Sequence, residues 1–388
     1  MRFLFLSPFF PPNAHLFCRA LHARGAEVLG VGDQAPEHQP SGLAGVLREY
    51  VFEPRMHEYG ALRAAVAGLS TRHGQIDRLD SNGEHWLEAE GRLRDDFSVS
   101  GLGYDEVCAL RSKLAMGKIF VTAGIGYPPT VRCRPDDYVR GFAELHGFPL
   151  VFKPDAGSGA VDTFVVKDKA ELDAALARGL SGHVVQPFVT GNIVTFDGIT
   201  NAAGEIVFCT SHAYDLGIMQ VRESQADGHY YSLRTIPDEL ERIGRRAVAA
   251  FAIRERFFHL EFFALPNGDY MGLEINVRPP GGYTTEMMSA ACDFNVYDLW
   301  AGVVTGQSLS GFSYERRYHT AHAGRRANHS YRLSAQQLSQ VLGNVLFCVQ
   351  AVPEAFAATM GNVAYLLRSQ SLDELRHAVA LVQERADP

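Results

Sequence analysis

The chain reads as an α/β protein built from several packed subdomains, and three observations support that reading. Its first eighty residues alternate short apolar runs with amphipathic stretches, the rhythm of a parallel sheet covered by helices. Near the middle, two alternating apolar runs flank Asn267-Gly268, the strongest short-range signal for a β-hairpin. The third is size: 388 residues, 46% hydrophobic and 21% charged, are long for one core and suit two to four subdomains.

Composition removes several classes. A net charge of -8 gives no basic face for nucleic acid. The six cysteines are scattered, without a C-x-x-C pair or zinc spacing, so thiols in a reducing compartment are expected. The opening MRFLFLSPFFPP holds a short apolar run broken by prolines. It is too short for a membrane span and lacks a signal-cleavage pattern, so a cytoplasmic protein is expected, with no membrane partner.

In chain order, residues 3 to 6 form a strand, a helix spans roughly 13 to 24 and stops at Gly25, and Glu27 to Val31 form a second strand. A further helix over 57 to 73 leads to a short strand at Ile76 to Leu79. This is a Rossmann-like βαβ pattern, but no G-x-G-x-x-G follows the first strand, so a dinucleotide is not expected there. Residues 76 to 101 are dense in charge around Trp86 and Leu87. They read either as an exposed amphipathic helix with pairs such as Glu88 and Arg92, or as a ligand crevice, because Asp80, Asn82 and Glu84 fall where a strand's carboxyl end meets a helix.

Residues 111 to 130 combine a helical run with a Gly-rich stop and a Pro-Pro exit. A strand then ends at Lys153-Pro154 and enters the small-residue loop 155–160, where Gly157, Ser158 and Gly159 let backbone N–H groups approach phosphate oxygens. A Gly-rich hairpin turn has the same composition. A strand at 163 to 166, a helix over 170 to 178 and a strand at 184 to 189 follow, then strands at 193 to 200 and 205 to 211. Residues 212 to 235 are polar and aromatic without a period and read as a loop over the substrate side, with Arg222 a candidate for a carboxylate. An amphipathic helix occupies 237 to 252.

The hairpin itself carries the chemistry. Folding symmetrically about Asn267-Gly268 sets Glu261 opposite Glu274 and His259 opposite Asn276. Alternation then puts His259, Glu261, Glu274, Asn276 and Arg278 on one face and Leu260, Phe262, Leu273, Ile275 and Val277 on the other. Two carboxylates facing each other repel unless a cation lies between them. Two acids and an amide oxygen suit Mg²⁺, with phosphates and water completing the shell. A solvated hairpin with exposed acids is the alternative. Pro279 to Thr285 opens a helix at 286 to 291, with free N–H groups at its start. The remainder holds Arg325-Arg326, a helix at 334 to 341, strands at 345 to 350 and 362 to 367, and a helix at 371 to 385.

The runs HLEFF at 259–263 and GLEINVRPPGG at 272–282 resemble the metal and phosphate strand pair of the ATP-grasp superfamily, the carboxylate-amine ligases related to biotin carboxylase and carbamoyl-phosphate synthetase. The stretch Ile76 to Gly101 resembles one in a poorly characterised bacterial subgroup of ATP-grasp proteins. The resemblance implies a Rossmann-like pre-ATP-grasp domain at 1–108, a small lobe at 109–189, a large lobe with the metal site at 190–305 and a small α+β subdomain at 306–388. It implies ATP with Mg²⁺, or Mn²⁺ in its place, held by Glu261, Glu274 and Asn276.

By the same resemblance Arg278 and Lys153 are catalytic, and ATP is bound by Lys113, Lys153, Gly157, Ser158, Gly159, Asn276 and Arg278. The hinge strand contributes Gln186, Phe188 and Val189 near adenine. The loop has fewer glycines than its biotin carboxylase counterpart. The expected reaction activates a small-molecule carboxylate as an acyl phosphate, releases ADP and joins the acid to an amine. Bicarbonate activation and a non-catalytic ATP sensor are the alternatives, and a homodimer is compatible with all three.

Overall fold

The computed structural model describes residues 1–157, 161–215, 217, 221 and 224–386. Strands Arg2–Leu6, Glu27–Gly32, Leu47–Phe52 and Arg78–Asp80 form a four-stranded sheet in which every pairing is parallel, with the 2–6 strand inside. A strand buried on both faces loses its polar alternation. Phe3 and Phe5 accordingly pack with Phe17 and Trp300 on one side, while Leu4 and Leu6 pack with Leu62 and Val66 on the other. Trp300 belongs to the helix Val296–Val304, and the same cluster holds Ile199 and Phe257, so this side joins the N-terminal sheet to later parts of the chain.

Strands Val131–Arg132, His183–Pro187, Leu150–Pro154 and Phe164–Val166 make a separate four-stranded antiparallel sheet. The third sheet has nine strands, and its order runs from Tyr270–Asn276 and Arg256–Ala264 through Asn192–Thr200 to the C-terminal strands. His319–Arg325, Val363–Ser369 and Leu346–Ala351 continue this sheet. Helix Asp238–Ala250 covers one face, setting Leu240, Ile243 and Ala247 against Phe196 and Phe258. Helix Thr284–Cys292 lies over the other, where Met287 meets Ala364 and Leu366. No helix among the described residues is long and apolar enough to cross a membrane.

Several elements depart from the sequence expectation for identifiable reasons. The stretch read as a loop contains strands His212–Tyr214 and His229–Ser232, which pair between the 192–200 and 319–325 strands; tertiary pairing overrides their weak local pattern. Leu47–Phe52 shows no alternation because it is a half-buried edge strand. Helix Val296–Val304 is buried nearly all round, which erases its period. Helix Leu87–Phe97 is not simply exposed: Glu90 is 0% and Arg94 4% exposed. Glu88 pairs with Arg111 rather than Arg92, and Arg92 lies over the Tyr104 ring.

Candidate active site

The hairpin sets Glu261 opposite Glu274 and His259 opposite Asn276, as the sequence register requires, but by a different route. Leu265 N–H donates to the Asp269 carbonyl at 2.8 Å and Gly268 N–H to the Leu265 carbonyl at 2.9 Å. The bend therefore spans Pro266, Asn267 and Gly268, with Gly268 at φ +88°, a conformation open to glycine at little cost. Continued without interruption, that bend would slip the pairing by one residue. A β-bulge between Glu261 and Phe262 restores the register. Leu273, expected on the apolar face, is the extra residue and is half-buried, while Leu260, Phe262, Ile275 and Val277 lie in the core.

Two lysines face the acids. Lys113 is the first residue of helix Lys113–Thr122, whose start is capped by the Ser112 hydroxyl accepting from Ala115 N–H at 3.2 Å. The Asp155 carboxylate accepts from Ser112 Oγ at 2.9 Å and from Leu114 N–H at 3.0 Å, which ties the end of the 150–154 strand to this helix. Lys113 Nζ donates to the Gly157 carbonyl at 3.0 Å and lies 3.7 Å from Glu274 Oε1.

Lys153 is buried. Burial and the neighbouring Lys113 lower its pKa to about 8, against the pull of Glu274 and Glu261. Burial likewise raises the Glu274 carboxyl, Lys113 opposing and Glu261 adding to the shift. Both directions describe a dry site in which charge is costly until a ligand balances it. Glu274 and Asn276 line a narrow crevice with Gly157, Glu84 and Arg111.

No protein-family model matches the chain. A curated L-arginine-specific L-amino acid ligase from Bacillus subtilis is 24% identical over 238 residues, covering 58% of this chain and 56% of that protein. A D-alanine–D-alanine ligase from Streptomyces avermitilis is 26% identical over 222 residues, covering 50% of this chain and 57% of that protein. The crystal structure of an L-amino acid ligase from Bacillus licheniformis matches the fold with a TM-score of 0.76 at 15% identity, covering 97% of this chain and 96% of that one. The chain has the ATP-grasp fold. It spans little more than half the length of the two curated relatives.

Within this ATP-grasp architecture the remaining expected residues fall into two groups. Arg278 stands at the hairpin's end, its Nε donating to Glu84 Oε2 at 3.0 Å and its Nη1 to the Pro279 carbonyl at 2.8 Å. Gln186 is buried in the separate four-stranded antiparallel sheet and donates to Thr130 Oγ1 at 2.7 Å. Phe188 and Val189 lie past the end of the strand, and Phe188 is 40% exposed. No hydrogen bond or ion pair among the described residues links these three to the acids. Ser158, Gly159 and Arg222 lie outside the described residues.

Arg325 and Arg326 do not reach the crevice. Arg325 Nη1 donates to the Leu333 carbonyl at 2.8 Å and Arg326 Nη2 to the Ala358 carbonyl at 2.9 Å. Tyr283, at the following turn, donates its hydroxyl to the Ala351 carbonyl at 2.6 Å.

Asp197 escaped the sequence reading. It is fully buried at the centre of the 192–200 strand, opposite His259, and its two oxygens meet His259 Nδ1 at 2.6 Å and His212 Nδ1 at 2.7 Å. His259 Nε2 in turn lies 3.3 Å from Glu261 Oε1. Burial alone would lower the His259 pKa, but Asp197 and Glu261 raise it to about 9. Burial would raise Asp197, and the two imidazoles hold it at about 2. The signal was available: an aspartate in the middle of the apolar run NIVTFDGIT needs a buried partner.

Among the described residues no group of three or more His, Cys, Asp or Glu side chains is arranged to hold a metal. The protein offers two partly buried carboxylates and a buried amide, and Glu274 stays raised even beside Lys113. That donor set fits a hard divalent cation whose other positions go to phosphate oxygens and water.

Proposed function

We propose that this chain is an ATP-dependent carboxylate-amine ligase. The observation that carries the proposal is the pairing of Glu261 with Glu274 on one face of the hairpin, with Lys113 beside them. Glu261, Glu274 and Asn276 would hold Mg²⁺, or Mn²⁺ in its place, and the ion when bound neutralises phosphate charge. Lys113 and Lys153 supply the fixed positive charge on the small-lobe side, and Arg278 supplies it from the hairpin's end. Gly157, Ser158 and Gly159 belong to the loop over the phosphates, and Gln186, Phe188 and Val189 to the adenine side. The domain divisions at 108, 189 and 305 are part of the same proposal.

Phosphoryl transfer depends on positioning and charge neutralisation more than on a protein nucleophile. The substrate carboxylate oxygen attacks the γ-phosphorus, the bond to the β-γ bridging oxygen breaks, and ADP leaves. The amine then attacks the acyl carbon, expelling phosphate and forming an amide. The names of the relatives support amino acids as the substrates to try first. The test is ADP release across a panel of L-amino acids, D-alanine and bicarbonate with Mg²⁺ present. Glu274→Ala is expected to abolish release while leaving the circular dichroism spectrum unchanged; an unaltered rate would refute the metal assignment. Release with bicarbonate alone would instead favour a carboxylase.

A further inference from the structure

The loop after strand Arg78–Asp80 takes no part in the ligase reading above, yet it is firmly constructed. Asp80 Oδ1 accepts from Ser81 and Asn82 N–H, both at 2.9 Å, and Ser81 N–H donates to the fully buried Glu90 at 2.8 Å. Asn82 holds a left-handed φ of +54°. Arg256, the first residue of the strand that carries Glu261, reaches Asp80 at 3.3 Å. The loop is thereby anchored to the same strand that presents the acids.

Glu84 stands at the end of this loop. One of its oxygens accepts from Arg278 Nε and the other from Arg111 Nε, each at 3.0 Å, and Arg111 also pairs with Glu88. Charges therefore alternate through Glu88, Arg111, Glu84 and Arg278. Burial would raise the Glu84 carboxyl, but Arg278 and Arg111 together hold it below the usual range. Glu84 and Arg111 line the crevice that also holds Glu274 and Asn276.

We infer that Glu84 is a positioning residue contributed by the N-terminal domain, which fixes the guanidinium of Arg278 for contact with the terminal phosphate. The inference rests on the phosphate role proposed for Arg278. An unanchored arginine samples many rotamers, whereas contacts at both Nε and Nη1 fix the plane of its fork. Nη2 makes no hydrogen bond among the described residues, so that edge is open to an anionic oxygen. Arg111 supplies the second positive charge, so Glu84 orients Arg278 without cancelling it.

The test compares the affinities of Mg·ADP and of the Mg complex of a non-hydrolysable ATP analogue, AMP-PNP, by calorimetry; their ratio isolates the terminal phosphate. Wild type is expected to prefer the analogue. Glu84→Gln and Arg278→Ala are each expected to shrink that preference roughly tenfold or more, the range of a hydrogen bond to a charged group. Glu84→Gln added to Arg278→Ala is expected to cost nothing further, because Glu84 acts only through Arg278.

A preference intact in Glu84→Gln, an equal loss for both nucleotides, or a further loss in the double variant would overturn the inference and leave the ligase reading standing. If Glu84→Gln does not fold, Glu84→Asp serves in its place: it keeps the charge one methylene short, and an undiminished preference there also overturns the inference. If wild type binds neither nucleotide, the ligase reading falls first and the inference with it.

Discussion

Lys153→Met is expected to stabilise the unliganded protein while weakening nucleotide binding. Lys153 is 7% exposed, and its ammonium, ordinarily at 10.5, is lowered to about 8 by burial and by Lys113. A base held below its unfolded value is a destabilising charge, and this one costs the folded state about 3 kcal/mol at neutral pH. Methionine keeps most of the volume and removes the charge. The penalty is complete below pH 8 and is relieved as the pH rises toward 10.5, where the unfolded chain also loses its proton. Thermal unfolding without ligand should therefore show the variant roughly 5 °C more stable at neutral pH, with the gap closing near pH 10. Calorimetry should show Mg·ADP affinity reduced about tenfold or more through the lost charge-assisted contact. A variant less stable at neutral pH, or a gap independent of pH, would show that Lys153 is not the strained charge described.

Two further outcomes follow from the packing around the site. Asp197→Asn removes the charge that holds His259 and His212, so Glu261 loses its fixed neighbour; the Mg²⁺ concentration for half-maximal nucleotide binding should rise about tenfold, and an unchanged titration would show that Asp197 does not position Glu261 through His259. Gly198→Ala would set a Cβ 2.1 Å from the Phe208 carbonyl oxygen; the β-carbon cannot be accommodated without separating the 192–200 and 206–210 strands, and loss of soluble expression or several kcal/mol of stability is expected, which normal yield and unfolding temperature would contradict.

The hairpin shows what local pattern can and cannot decide. Alternation along two strands and a turn dipeptide led to the expectation that Glu261, Glu274, Asn276 and Arg278 share a face, because register and side-chain face follow from a period of two. The dipeptide suggested a two-residue turn, and the actual three-residue bend would have carried Glu274 to the core face; only the bulge at Leu273 restored the pairing. Lys113 and Lys153 could be placed on elements from sequence, but their approach to the acids depends on Asp155 tying helix to strand.

The sequence by itself determined the element types of the N-terminal sheet, the acid-bearing hairpin and the residues able to carry charge, since each depends on neighbours a few positions apart. Tertiary structure decided that strands 319–325 and 363–369 extend the sheet of the hairpin, that Asp197 lies behind His259, and that Glu84 meets Arg278 across 194 positions of chain. Those contacts join residues distant along the chain, and burial of apolar faces together with pairing of buried charge selects them. Neither force leaves a periodic trace in a single segment.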